Sequence, residues 1–588
     1  MFRHKLFATG CEILLMLGSL MAFPAHAAGP TPSADELEAG RRIYQEGILP
    51  SGASLKGVRA GGAVVGAAAA CMSCHRRSGM GAVEGGIQVP PINGRFLFAQ
   101  REDRVLAIMD TRSGKRMNQA HDPYTDQSLD KAIRRGMNNR GQEMNVVMPR
   151  YELGDREAQA LIAYLKQLSD QWSPGVTADT IRFATVITPE VEPERRRLLV
   201  DMMRSAFVQK NGSTVTSRQA GRRRHMTSAA EMVLGTERTW QLEVWELQGA
   251  PETWAGQLDE FYRRQPVFAV VSGLSNSTWE PVHDFCECER VPCWFPSVSL
   301  PPVKEQAFYP VYFSRGVTLE ADVLAKHLLS GGKPPRRLVQ VYRDDYVGRG
   351  AAQAMRQSLS GSGVTVEDRV LQGDGPDALR RALADAGEKD SLMFWLRQSD
   401  LAMLDQVMPA AGAYFSARLG GGEHGHFPVA WKDSVRLVYP YELPEKRAIN
   451  LSYFHQWLQL RRIALVDEPL QAEIFFALNF LTDTVAEMLD NLYRDYLLER
   501  AESMVSQREG GKAEAEARDR GLLRTAGGAI GRQGGEGTAP LGRHESTTIY
   551  PRLSLGQTQR FASKGGYIVR FAGKDDDRLV AESDWLVP

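Results

Sequence analysis

Cys71-Met72-Ser73-Cys74-His75 is the stretch that decides how the first part of this chain must fold. Two thiols three residues apart, followed directly by a histidine, form the attachment signal for a c-type haem. The spacing has a physical reason. The thiols must reach two vinyl groups on one edge of a porphyrin, and the next residue must lie under the iron with a ring nitrogen turned toward it. A zinc site would need a second Cys-x-x-Cys or a His-x3-His, and the sequence contains neither. One covalent haem c is therefore expected on Cys71 and Cys74, with His75 as an iron ligand.

Such a group is attached outside the cytoplasm, and the N-terminus fits that route. Arg3, His4 and Lys5 precede an apolar stretch from Leu6 to Phe23, and Ala25-His26-Ala27 offers a small-x-small cleavage site. Residues 1–27 therefore read as a signal peptide. Glu12 argues against a permanent anchor, because a carboxylate in mid-span costs several kcal/mol. No later run approaches the roughly 20 apolar residues a span needs. The expected protein is soluble and periplasmic, with no membrane span after cleavage. Its 71 basic and 71 acidic residues leave no excess charge to point to nucleic acid.

The second iron ligand is sought downstream. Val147-Met148-Pro149 precedes a run in which Asp155 can cap a helix and Ala158, Leu161, Ile162, Leu165 and Leu168 recur at helical spacing. Proline keeps Met148 out of the helical region, which leaves its thioether free to turn inward. Met137 and Met144 compete, and His121 would give a bis-His haem, but only Met148 stands just before the closing helix. A closed His/Met pair suits electron transfer, because little moves between redox states.

The segment from Ser33 to Ser169 resembles a class I cytochrome c. Gly40-Arg41-Arg42-Ile43-Tyr44 looks like the family's N-terminal helix, and the resemblance implies that it crosses the closing one in a small all-α domain, residues 33–170. Val89-Pro90-Pro91-Ile92-Asn93-Gly94 looks like the loop whose proline carbonyl accepts the proton of the ligating histidine, so the resemblance gives that role to Pro90 or Pro91. The Gly/Ala-rich run Gly61 to Ala70 departs from the pattern and is expected to help form a helix near the ring.

The haem segment is only about a quarter of the 588 residues. Proline and glycine in residues 171–178 mark a linker. Beyond it strands and helices alternate: strand-like Thr180 to Thr188, helical Glu194 to Gln209, then strands at Trp240 to Leu247, Val267 to Ser272, Arg337 to Tyr342 and Ser391 to Leu396. That rhythm implies parallel sheets with helices on both faces. Asp179-Thr180-Ile181-Arg182-Phe183 and Val341-Tyr342-Arg343-Asp344-Asp345-Tyr346 resemble the opening strand and second-lobe start of type I periplasmic binding proteins of branched-chain amino acid and amide uptake. The resemblance implies a two-lobed α/β domain over 179–588: a first lobe of about 179–312 and 440–504, and a second of about 313–439 and 546–588. It also implies a small-molecule cleft, with Ser275, Ser277, Thr278 and Tyr346 as ligand contacts, although hydroxyls before a helix also serve as N-caps. Leu470 to Met504 reads as one amphipathic helix, and the Gly/Arg/Ala/Glu-rich 507–545 as a flexible insertion.

Cys286, Cys288 and Cys293 remain. In an oxidising compartment Cys286 and Cys293 would close an eight-residue loop as a disulfide worth about 2.5 kcal/mol. No Ser-His-Asp, His-Glu-x-x-His or phosphate-loop arrangement appears. The expected function is electron transfer to or from a periplasmic dehydrogenase or oxidase, with the α/β domain docking the haem or recognising a ligand; an electron carrier is favoured over an enzyme subunit that oxidises a ligand held in the cleft. The alternative is a solute receptor or redox sensor with an accessory haem.

Overall fold

The computed structural model describes residues 32–84, 87–98, 109–110, 115–116, 122–221, 237–332, 334–387, 389–409, 412–519 and 547–588. The signal peptide 1–27, His121 and all but the first part of the 507–545 insertion lie outside the described residues. Among them no helix is long and apolar enough to cross a membrane.

The helix Ala34–Glu46 begins where the Ser33 hydroxyl accepts from Glu36 N at 3.1 Å, with Asp35 and Glu36 in its positive first turn, and it stops at left-handed Gly47. The helix Asp155–Gln167 is started by Glu157, whose carboxylate accepts from Gly154 N at 2.7 Å. The two cross where Gly40 lies against Ala160: a Cβ on Gly40 would stand 2.1 Å from the Ala160 carbonyl oxygen. Around that crossing Ile43, Tyr44, Leu129, Ile133, Leu161 and Leu165 form a separate small core.

The segment is not purely helical, contrary to expectation. Lys56–Arg59, Gly62–Val65 and Arg150–Tyr151 make a three-stranded antiparallel sheet. Positive φ at Gly61 (99°) and Gly62 (126°) reverses the chain as a hairpin requires. The Gly/Ala-rich run is thus half strand, and only Gly66–Ala69 turns as a short 3-10 helix.

The remainder builds two parallel sheets. In the first, Thr180–Ile187 lies between Thr239–Glu246 and a strand kinked into Ala269–Val271 and Leu274–Ser275. Cys293–Trp294, Ser297–Val298 and Pro310–Val311 extend it, all parallel. In the second, Thr365–Val370, Arg337–Tyr342, Ser391–Trp395, Ala413–Ser416 and Val435–Tyr439 run parallel in that spatial order, and Tyr567–Gly573 and Asp576–Ala581 add antiparallel. The stretch from Leu470 to Met504 is two helices, Glu468–Met488 and Arg494–Asp519. Leu489 sits at φ 56°, so the helix cannot run through it. The second helix continues into the stretch read as an insertion, where Ala, Glu, Lys and Arg favour helix without an apolar stripe.

That break seats the haem segment. Asp490, buried within it, accepts from Arg238 at 2.6 Å and from Arg95 of the haem segment at 3.2 Å. The Asp490 carbonyl accepts from Trp172 Nε1 at 2.9 Å, and Arg238 lies over the Trp172 ring. Arg494 reaches the carbonyls of Phe268 and Pro174 and the Tyr262 hydroxyl. Residues 171–178 are therefore packed rather than slack. Met80 and Phe96 are buried in the same hydrophobic cluster as Phe183, Trp294 and Tyr309.

Candidate functional site

Cys71 caps a one-turn helix, Met72–His75, so Cys71, Cys74 and His75 stand at positions i, i+3 and i+4, on one face. Cys71 is buried, and burial pushes its thiol up to about 12 against the hydrogen bond from Tyr151. Cys74 is half-buried.

His75 is 5% exposed. Its Nδ1 donates to the Pro90 carbonyl at 2.9 Å, so of the two prolines left open by the sequence, Pro90 holds the ring. Burial lowers the imidazole to about 4, leaving it neutral. Nε2 has no hydrogen-bond partner among the described residues. A neutral imidazole with one nitrogen fixed and the other free is the form that ligates a metal.

Three residues with no role at the site legible in the sequence shape this geometry. Gly81, at φ 74°, donates its N–H to the His75 carbonyl at 3.0 Å. A Cβ on Gly81 would lie 2.1 Å from the Val89 carbonyl oxygen, so only glycine lets the strand Ile87–Val89 and Pro90 after it approach His75. Tyr44 donates its hydroxyl to the Arg76 carbonyl at 2.7 Å. Arg76 itself sits at φ 64°, an uncommon conformation for a side-chain-bearing residue, which turns the chain sharply after the histidine. The third, Arg150, ties down the loop that carries Met148. It donates to the carbonyls of Met144 at 2.9 Å, Asn145 at 3.1 Å and Met148. Met148 and Met144 both pack, partly buried, on the small core beside Cys71. Two thiols on one helical face, an oriented neutral imidazole and a thioether on the same core form a donor set that fits a covalent haem.

The ligand candidates of the α/β region lie where strands end, the usual place for a site in a parallel sheet. Ser272 (φ 55°) and Gly273 (φ 118°) kink the strand there. Thr278, which follows the strand Leu274–Ser275 of the first sheet, lies near the side chain of Tyr346, which opens the helix after Arg337–Tyr342 of the second. Ser275 and Ser277, by contrast, are engaged by Glu190, whose carboxylate also accepts from Thr188 at 2.9 Å. Glu190 gave no sequence signal, because it becomes a neighbour only through the fold. Cys286 and Cys293 are buried, neighbouring free thiols, with burial pushing Cys286 upward, so the expected disulfide is not present in the structure.

Residues 58–169 match the family model described as Cytochrome c. No curated protein matches the chain. Among solved structures the chain is similar to a fatty acid ABC transporter substrate-binding protein from Thermomonospora curvata, at 12% identity and a TM-score of 0.43 over 71% of this chain and 95% of that one. It is also similar to a possible leucine/isoleucine/valine-binding protein from Rhodopirellula baltica SH 1, at 11% identity and a TM-score of 0.45 over 69% and 97%. A branched chain amino acid ABC transporter structure from Thermus thermophilus with bound valine matches at 9% identity and a TM-score of 0.46 over 70% and 98%.

Proposed function

We propose that this chain is an exported, periplasmic electron carrier with a single haem c attached through Cys71 and Cys74 and ligated by His75 and Met148. The observation that carries this reading is the state of His75: neutral, buried, fixed through Nδ1 on Pro90 and open at Nε2. When bound, the group supplies one-electron oxidation and reduction. The protein's own part is restraint. Pro90 and Gly81 set the imidazole, Tyr44 holds the turn after it, and Arg150 holds the methionine loop. Exposed Val146 and Val147 flank Met148 as an apolar rim suited to a transient redox partner, a dehydrogenase or an oxidase.

Met148→Ala tests the ligand set. The oxidised wild type should show the weak long-wavelength absorption of a sulfur-ligated haem, and the variant should lose it and bind carbon monoxide when reduced. Ready carbon monoxide binding by the wild type would overturn the closed pair.

A second reading, a solute receptor or redox sensor, is favoured by the nearness of Thr278, after a strand of one sheet, to Tyr346, after a strand of the other. A ligand of that site at about 100 times its Kd should stabilise the protein by about 2.7 kcal/mol. No thermal shift across amino acids, amides, alcohols and aromatic acids would leave the α/β domain as a docking scaffold.

A further inference from the structure

The haem segment meets the α/β domain through the loop that follows the iron-ligating histidine. Arg77 lies over the Phe308 ring at 4.7 Å and faces Asp495 at 3.6 Å. Ser78, next along, offers both its N–H (2.9 Å) and its hydroxyl (2.5 Å) to the carboxyl of Glu499. The same Ser78 hydroxyl accepts from Met80 N at 3.1 Å, and the Ser78 carbonyl accepts from Ser169 at 2.8 Å. Glu499 thus grips, from the other domain, the centre of the 76–81 loop whose far end, Gly81, bonds back to the His75 carbonyl.

The acidic residues around this seam differ in one respect. Asp490 has Arg95 and Arg238, Asp495 has Arg77 and the Tyr309 hydroxyl, and Glu502 has Arg560 at 2.7 Å. Glu499 has only the neutral donors of Ser78 among the described residues. Its surroundings otherwise oppose a negative charge: Asp495 and Glu502 on its own helix repel it, and Tyr44 and Tyr496 beside it are neutral phenols. The Arg77 guanidinium is committed to Asp495, and Arg560 to Glu502.

We propose that Glu499 is a positioning residue for the haem ligand, supplied by the α/β domain, and that its carboxyl gains a proton as the haem gains an electron. The proposal rests on the haem reading above. The coupling is electrostatic and reciprocal. Reduction takes one electron from a one-electron donor and makes the haem site more negative by one charge; the Glu499 carboxylate then takes one proton from solvent, and reoxidation releases it. Glu499 is half-buried, and its partial burial with the neighbouring carboxylates raises this carboxyl to about 8, despite the hydrogen bonds from Ser78. Ser78 suits both states, since its hydroxyl can donate to the carboxylate or accept from the acid.

The test uses the full-length haem-bound protein. Its midpoint potential is measured against pH, together with the infrared difference spectrum between reduced and oxidised forms. The wild-type potential should fall as pH rises through about 8, and the difference spectrum should contain a carboxylic-acid C=O band. Glu499→Gln should flatten that part of the profile and remove the band while keeping the Soret absorbance. Ser78→Ala removes one of the bonds that favour the carboxylate, so it should move the inflection to higher pH. An unchanged pH profile in Glu499→Gln would overturn the proposal, as would the C=O band surviving in that variant. If Glu499→Gln does not fold, an inflection in Ser78→Ala that stays put or moves to lower pH overturns it equally. Failure of the haem reading itself is distinct: the secreted wild type would then carry no covalent mass increment and show no Soret band.

Discussion

Gly40 to Ala should loosen the haem segment, although the same change in an ordinary helix is favourable. In a helix interior, replacing glycine by alanine gains about 0.5–1 kcal/mol from lost chain freedom. At Gly40 the new methyl would stand 2.1 Å from the Ala160 carbonyl oxygen and 2.7 Å from Tyr164 Cβ. Carbon and oxygen rest at about 3.3 Å or more, so the helices Ala34–Glu46 and Asp155–Gln167 must part by about 1 Å. Neither obstacle can rotate away, because one is backbone and the other is bonded directly to it. Such overpacking costs about 1–3 kcal/mol, which outweighs the propensity gain by up to roughly 2 kcal/mol and lowers the melting temperature of a segment this size by up to roughly 8 °C. The displacement also reaches the site, since Tyr44, one turn on, holds the Arg76 carbonyl.

The control is Gly256, in the helix Trp254–Arg264, where an added Cβ meets nothing within 4 Å. Gly256→Ala should stabilise by about 0.5–1 kcal/mol. Because the chain has more than one cooperative unit, each variant needs its own probe. The Soret band reports on Gly40→Ala, and tryptophan fluorescence, with Trp254 buried nearby, reports on Gly256→Ala. A Gly40→Ala protein that melts at or above the wild type would refute the crossing geometry.

Gly81→Ala should push the strand Ile87–Val89 and Pro90 after it off His75, and the loss of the Pro90 bond should appear as a shifted haem potential at unchanged covalent haem content. Arg150→Ala frees the carbonyls of Met144, Asn145 and Met148, so the reduced protein should bind carbon monoxide at least tenfold faster than the wild type. Asp490→Ala leaves the Arg238 and Arg95 charges facing one another across the domain seam at a cost of about 3–5 kcal/mol, which should expose residues 171–178 to limited proteolysis. Glu320, buried beneath Ser416 and the Arg418 N–H, is raised to about 7 by burial. Its folded pKa lies above the ordinary 4.5, so the stability it contributes is complete below about pH 4.5 and disappears as pH rises through about 7. The loss amounts to about 3 kcal/mol, and Glu320→Gln should abolish that part of the slope in denaturant midpoints taken at about pH 5 and pH 8.

The candidate haem donors were legible as a group because attachment chemistry imposes a fixed local spacing, and Cys71, Cys74 and His75 do share one helical turn. Strand positions such as Arg337–Tyr342 were legible for a similar reason, since a buried parallel strand must be continuously apolar or nearly so. What failed to show was contact between distant segments. Arg150 reads as an ordinary charged residue until it folds over Gly136, whose Cβ position it fills at 2.1 Å. Glu190 and Glu499 carry no sequence mark separating them from dozens of solvated carboxylates, and hydroxyl partners at Ser275, Ser277 and Ser78 supply their meaning. The break at Leu489 was hidden because leucine fits the apolar stripe, and a positive φ at a non-glycine residue cannot be anticipated from composition.

The break at Leu489 and the seam at Glu499 belong to one arrangement. Had the helix run unbroken from Glu468, Asp490 would have lain on a helical turn instead of in the short connection where it receives Arg238 and Arg95 together. Restarting at Arg494 places Asp495, Glu499 and Glu502 at spacings of four and three, a single stripe. That stripe faces Arg77, Ser78 and Arg560 in turn. Two of these pairings, Asp495 with Arg77 and Glu499 with Ser78, hold the loop that follows the histidine, and the second of them is neutral on the serine side. The Arg494–Asp519 helix is thereby bonded directly to the loop that follows His75, which a flexible tether would not achieve.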